Sequence, residues 1–337
     1  MYISWYFEYL PKILVALSLL FNSIFIYLTL SDRKKSLGNY RFFLLSFSIF
    51  NTIYSVVEVV IPVAVYGSNY VLVVYLEGGP FFKVPQNARF QTSFGQWAVS
   101  VRCSFIPLSY AILTIHFFYR YFALFNPRVI EKLTSKTGIL SMLTFFISHG
   151  IVWVTVCQTL SYATQDAREI VRAEFSAIFS IDIEEIDFVN IVYKSPNSWT
   201  VYRSWLGILI LTVISGTSIT LYCVIGYRIF KKLQDADYMS CNTRKLHRQL
   251  LRTLAIQTII PTVISFLPCM IVWFIPYFGV HIGNYGNIGM IALAAFPSVD
   301  AIAVILLLPV YRNRFTKLGN KLSSVIAIQP SWTRTPI

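Results

Sequence analysis

The sequence predicts an all-α integral membrane protein: a bundle of seven transmembrane helices with its N-terminus outside, its C-terminus cytoplasmic and a short amphipathic helix after the last span. Three observations predict it. Of the 337 residues, 56% are hydrophobic and only 13% charged, far from the roughly half apolar, one-quarter charged mix of soluble domains. Seven stretches reach the roughly 20 apolar residues that cross a hydrocarbon core at about 1.5 Å per residue. The basic residues also gather on one flank of those stretches, as they do in membrane proteins of fixed orientation.

The seven spans are read at 10–31, 42–66, 96–121, 138–159, 204–228, 251–277 and 286–310, within one domain that covers 1–337, with 311–337 as a cytoplasmic tail. The first is long enough to span and lacks a basic leader and a small-residue cleavage site, so it is read as a retained helix. The segments 32–41, 120–137, 228–252 and 311–337 hold 20 of the 28 Lys and Arg residues, and the opposite flank holds seven. Seven acidic residues fall in the 160–200 loop. The positive-inside rule then puts the N-terminus outside, and the net charge of +13 needs no nucleic-acid partner. After span 7, Tyr311, Phe315, Leu318 and Leu322 recur at helical spacing among Arg312, Arg314, Lys317 and Lys321. That pattern suits a basic amphipathic helix lying on membrane lipid.

Chemistry-bearing motifs are absent. The five cysteines form no CxxC pair and no Cys/His cluster, so no metal or other cofactor is expected. No HExxH, GxSxG or phosphate-cradling loop occurs, and the four histidines are scattered, so no enzyme is expected. What remains is a set of polar residues inside the spans, where they are costly and point to function. Asn22, Asn51 and Asp300 sit at one level, about 14 to 15 Å above the inner boundary by residue count. They are placed to bond one another or a trapped water or ion, or each to satisfy its own helix. Higher up, Glu58 at about 24 Å and Arg102 at about 27 Å are each other's natural partners, unless Arg102 snorkels to the outer surface. Pro268 and Pro297 remove backbone hydrogen bonds and give spans 6 and 7 possible hinges.

Against this background, several stretches resemble a known family. Seven spans with the N-terminus outside and Arg120 between Tyr119 and Tyr121 at the inner end of span 3 resemble a G-protein-coupled receptor. "WYFEYLPK", "SLGNYRFFLLSFSIFNTIYSVVEVVIP", "SYAILTIHFFYRYFALFNP", "FPSVDAI" and "YRNRF" are similar to nematode seven-transmembrane chemoreceptors of the Str superfamily. The "PK" opening, "GNYR" and "VRCS" resemble the serpentine receptor class J subgroup. The resemblance covers essentially the whole chain. It implies a chemosensory, olfactory receptor in the plasma membrane, often ciliary, of a sensory neuron. Such a receptor binds a small odorant or water-borne molecule and signals through a heterotrimeric G protein.

By the same resemblance, Tyr119, Arg120 and Tyr121 stand where the wider superfamily has an acidic residue, Arg and Tyr. The acidic neighbour is missing, so some other group must hold Arg120 at rest; Tyr119, Tyr121 and span 6 are the candidates. The 160–200 loop has no cysteine, so the familiar disulfide between span 3 and that loop cannot form, and a bond between Cys103 and Cys157 is left open. Depth alone puts Glu58, Arg102, Trp97 and Trp273 near a ligand. A span 7 lysine for retinal is absent from 286–310, and the charge count opposes the inverted seven-span channels. A secondary transporter with a midplane site stays open as the alternative.

Overall fold

The computed structural model describes residues 5–31, 38–68, 70–78, 94–179, 182–234 and 240–327. In chain order these form α1 (Trp5–Leu30), α2 (Tyr40–Val60), β1 (Val63–Ser68), β2 (Val71–Leu76), α3 (Phe94–Phe125), α4 (Pro127–Leu133), α5 (Lys136–Leu160) and α6 (Gln165–Phe179). There follow β3 (Phe188–Val192), α7 (Ser198–Gln234), α8 (Cys241–Ile260), a π-helical segment Pro261–Phe266, α9 (Leu267–Phe274), α10 (Asn287–Leu307) and α11 (Pro309–Ala327). Among the described residues, seven helical stretches are long and apolar enough to cross a membrane, the sixth running continuously over Thr243–Phe278. Their outward faces present Leu20, Ile53, Leu143, Leu209, Ile259 and Leu306. So much exposed apolar surface is a liability in water and the natural boundary with lipid.

The helix ends follow local chemistry. Ser135 accepts from the Gly138 amide at 3.2 Å to start α5, and Ser240 accepts from Thr243 at 3.3 Å to start α8. Asn126 and Pro127 break α3 from α4, the proline supplying a first-turn residue with no amide to satisfy.

Span 2 ends six residues earlier than the sequence reading had it. Ile61 precedes Pro62 and is held out of the helical region at φ −126°, ψ 70°, the restriction a following proline imposes. Residues 63–66 of the expected span are therefore strand. β1 and β2 form a hairpin with Ser68 opposite Val71, and Tyr70 takes the positive φ of 66° in the turn. β3, from the 160–200 loop, adds antiparallel to β2 and completes a three-stranded sheet in the order β1-β2-β3.

This sheet is covered on both faces. Ala64, Tyr66, Val71, Val73, Tyr75 and Phe188 pack on α6, which presents Ala167, Val171 and Phe175 at four-residue spacing. Val63, Val65, Leu72, Val74, Val189 and Ile191 turn the other way, toward the helix bundle. Burial on both faces removes the alternation of polar and apolar residues, and that is why β1 reads as more membrane span.

The opposite end of the bundle carries α11. Tyr311 is fully buried and meets Phe25 edge-on at 4.9 Å, while Arg314 donates to the Leu28 carbonyl at 3.2 Å. Arg312 and Lys317 are exposed, so the helix is amphipathic as its pattern predicts; the side chains of Lys321 and Leu322 lie outside the described residues.

Candidate functional site

Three sets of residues stack along the bundle axis. Nearest the sheet is a partly open cavity of about 70 Å³. Its roof is the inward face of all three strands, and its walls come from α3, α5, α7, α9 and α10. Trp153 and Trp273 stand 5.9 Å apart in the wall, and Tyr193, just past β3, donates to the Trp273 carbonyl. Roof and wall helix are thereby tied together. Burial raises the Tyr193 hydroxyl above the usual phenol range, so it stays a donor.

Among the described residues Arg102 is the one charged side chain lining this cavity. Its Nη2 pairs with the Glu58 carboxylate of α2, and its guanidinium lies 4.6 Å over the Tyr54 ring. Both charged groups are buried, Arg102 at 1% exposure, so it does not snorkel. Its Nε has no hydrogen-bond partner. Trp97, by contrast, is 48% exposed and does not line the cavity. Depth predicted its level, but the helical face it occupies points outward. Cys103, Cys157 and Cys269 all line the cavity as free thiols, so Cys103 and Cys157 are not bonded.

The roof is fastened from above. Gly67 of β1 accepts from the amides of Ile282 and Gly283 at 2.9 and 3.1 Å. Glu174 of α6 accepts from Tyr66 at 3.1 Å and from Ser68, whose hydroxyl is 3.1 Å from His281 Nδ1. Burial pushes the Tyr66 hydroxyl up to about 12, which keeps it protonated against the Glu174 carboxylate.

Mid-bundle lies the polar layer. Asn51 donates to Asp300 at 3.0 Å. Asn22 does not reach either of them; it donates to the Pro297 carbonyl at 3.1 Å and accepts from Ser48 at 2.9 Å. Ser18 and Ser55 bond each other at 2.6 Å and link α1 to α2 in the same layer. The Pro297 carbonyl thus serves as a cross-helix acceptor. Asn51 Oδ1, Asp300 Oδ1 and Gln257 Oε1 are buried with no hydrogen-bond partner. Gln257, on α8, escaped the sequence reading although it is a polar residue inside a span; the three serines are too common in spans to stand out.

At the α11 end, Arg120 is 7% exposed and stacks 3.5 Å over the ring of Tyr40. Among the described residues no carboxylate pairs with it, and its Nε and Nη2 carry no hydrogen bond. Tyr119 packs on Phe43 at 4.2 Å and on Tyr40 at 6.0 Å, whereas Tyr121 turns away onto Phe125 at 4.4 Å. The group against Arg120 is therefore Tyr40 at the start of α2. Tyr40 lies in the 32–41 segment expected to be loop, where nothing in its position marks it as a partner for a span 3 arginine. His116, one turn above, is buried among Tyr40, Phe43 and Phe47 with neither ring nitrogen partnered.

The sixth span joins the two ends. Cys269, Val272 and Trp273 of α9 line the cavity, and Leu250 of α8 packs in the cluster that holds Tyr40 and Tyr119. Between them the helix widens to a π-helix over Pro261–Phe266, with Pro268 two residues beyond its end. Such a segment loosens the regular ladder where a helix must bend. Among the described residues no group of three His, Cys, Asp or Glu side chains is placed to hold a metal.

The chain was compared with known proteins. The profile of the family described as "Serpentine type 7TM GPCR chemoreceptor Srj" matches residues 1–315. "Serpentine receptor class J-38" of Caenorhabditis elegans is 33% identical over 97% of both chains. "Serpentine receptor class r-10" of the same nematode is 23% identical over 88% of this chain and 86% of its own. "G-protein coupled receptor str-33", also from C. elegans, is 22% identical over 89% of this chain and 87% of its own. A match of this extent, on a seven-helix membrane protein with an apolar cavity at one end and a buried arginine at the other, places the chain in the Srj family of serpentine seven-transmembrane G-protein-coupled chemoreceptors.

Proposed function

We propose that this chain is a chemosensory receptor that binds a small molecule in the cavity beneath the sheet and activates a heterotrimeric G protein at the α11 end. The N-terminus and the sheet face the outside, α11 lies on the inner leaflet, and the membrane is that of a sensory neuron, often its cilium. The 20 to 7 division of Lys and Arg supports that orientation. The observation that carries the reading is the sixth span. One helix lines the cavity with Trp273 and packs beside Tyr40 and Tyr119 through Leu250, with a π-helical break between.

The mechanism is two-state linkage. A ligand shifts the equilibrium only by its differential affinity for the active arrangement. Occupying the cavity changes how Trp273 packs, and the bend at Pro261–Phe266 and Pro268 converts that into motion of α8 away from α3. The stacked Arg120 is then released, and a groove opens to a G-protein helix. The polar layer of Asn22, Asn51, Asp300 and Pro297 lies between the two ends and repacks as α10 adjusts. The test is a ligand screen on cells expressing the chain, read by calcium or cyclic nucleotide, beside Arg120→Ala. A receptor gives a response that Arg120→Ala abolishes; accumulation of the responding compound in vesicles, with no second-messenger change, marks a transporter instead.

A further inference from the structure

We infer that the groove between α2, α3 and α5 at the α11 end of the bundle binds one anionic phospholipid of the surrounding membrane, with an acyl chain along its apolar wall and the phosphate against Arg41, Lys132 and Lys136. The site is separate from the cavity beneath the sheet and does not depend on what that cavity binds.

Size and depth come first. The groove holds about 690 Å³, against about 70 Å³ for the cavity, within the roughly 300 to 1,000 Å³ of sites that take drug-sized molecules. Asn39 lines one end and Ile53 the deeper part, fourteen residues apart in sequence. At about 1.5 Å per residue that is about 21 Å, longer than the roughly 15 Å of hydrocarbon in one leaflet. The wall is preformed: Phe43 packs on Tyr119 at 4.2 Å, and Phe50 meets Phe146 at 6.0 Å and Phe105 at 5.8 Å, so neighbouring rings hold it open. Its lips, Phe42 and Ile49 of α2 and Ile139 and Leu143 of α5, are exposed. The medium that meets such apolar faces on two spans is lipid, and a flexible acyl chain fits an irregular wall.

Charge at the mouth selects the head. Segments 38–53 and 126–146 hold Arg41, Arg128, Lys132 and Lys136 against one acid, Glu131. Lys132 adjoins Leu133 and Thr134, which line the groove, and Arg41 lies 4.7 Å over the ring of Phe42, which also lines it. Among the described residues no carboxylate forms an ion pair with any of the four basic side chains. The N-terminus of α2 reaches the same mouth, where Asn39 makes no side-chain bond to the first turn, and the positive end of a helix adds to the field. An anionic phosphodiester complements this rim. A sterol brings only a hydroxyl, a zwitterionic lipid carries its own cation to the rim, and a second copy of this chain presents like charge.

The experiment uses the full chain purified in detergent, with the first lipid to bind followed by native mass spectrometry. Phosphatidylglycerol, phosphatidylcholine of the same chains and cholesterol are titrated in turn. Phosphatidylglycerol is expected to bind at least about fivefold more tightly than phosphatidylcholine, and cholesterol not to displace it. Lys132→Gln and Lys136→Gln are each expected to weaken phosphatidylglycerol about fivefold, the effect of one basic residue at a membrane surface, while Lys245→Gln, on α8 and outside the groove, changes nothing. Ser46→Trp, which sets a large ring in the groove, is expected to abolish binding of both phospholipids. All four substituted side chains are exposed, and an unchanged melting temperature without lipid checks that each variant is folded. Equal affinity for the two phospholipids, displacement of phosphatidylglycerol by cholesterol, a loss with Lys245→Gln as large as with Lys132→Gln, or full binding to Ser46→Trp overturns the inference.

Discussion

Arg102 and Arg120 lie on one helix, eighteen residues apart, and burial treats them differently. Arg102 has a carboxylate, so removing one partner strands the other. Arg102→Met is expected to cost about 3 to 5 kcal/mol and most of the surface expression, while Glu58→Met with Arg102→Met, an apolar pair of similar volume, restores it. Flow cytometry on cells expressing each variant checks this. The pairing was legible because depth along a helix is a count of residues. Among the described residues Arg120 has no carboxylate partner and lies over the face of Tyr40; a cation over a ring contributes about 1 kcal/mol, a factor of about five in a two-state equilibrium. Tyr40→Ala is therefore expected to raise ligand-independent signalling about fivefold, while Tyr40→Phe, which keeps the ring, leaves it near wild type. Tyr40 was not legible: a tyrosine beside a span boundary reads as an interface anchor, and only the tertiary approach of α2 to α3 makes it a partner.

Among the elements, the helices followed from length and apolar composition, and the sheet did not. The run from Pro62 to Tyr66 is apolar on both faces because α6 covers one side and the bundle the other, and a two-sided strand carries no alternation to distinguish it from a span. The helix of α6 was hidden by its charges, though Ala167, Val171 and Phe175 give the stripe. The seam between the sheet and the segment joining α9 to α10 is tight at Gly67, where an added Cβ meets Ile282 Cδ1 at 3.0 Å and Pro276 Cγ at 3.3 Å. Gly67→Val overpacks that seam and is expected to lower stability by about 1 to 3 kcal/mol, read as a fall in the melting temperature of the purified chain. In the sixth span, Pro261 lacks the amide that would continue the ladder and crowds the carbonyl four residues back; the π-helix is the local answer. Pro261→Ala permits a regular helix. It is expected to leave ligand affinity within twofold and to reduce ligand-stimulated signalling severalfold, measured by binding and second-messenger assays on the same cells.

For the molecule as a whole, the sequence carried the class and the family resemblance, and the comparisons establish the family. The charge asymmetry predicts an orientation: an epitope at the N-terminus is expected to be stained on intact cells and one at the C-terminus only after permeabilisation. What sequence could not give is the connection from end to end, because it depends on which face of each helix meets its neighbours. Trp97 and Trp273 both lie near the cavity by depth, yet only Trp273 lines it. On the proposed reading, the cavity beneath the sheet and the buried Arg120 are two ends of one switch. Nucleotide exchange on a purified heterotrimeric G protein, with the chain reconstituted in nanodiscs and a cavity ligand added, separates that reading from its rivals. Ligand is expected to accelerate exchange severalfold with the wild-type chain, and Arg120→Ala to bind the ligand equally well but give no acceleration. Undiminished acceleration by Arg120→Ala, or ligand binding that leaves exchange unchanged in the wild-type chain, would show that the two ends are not coupled.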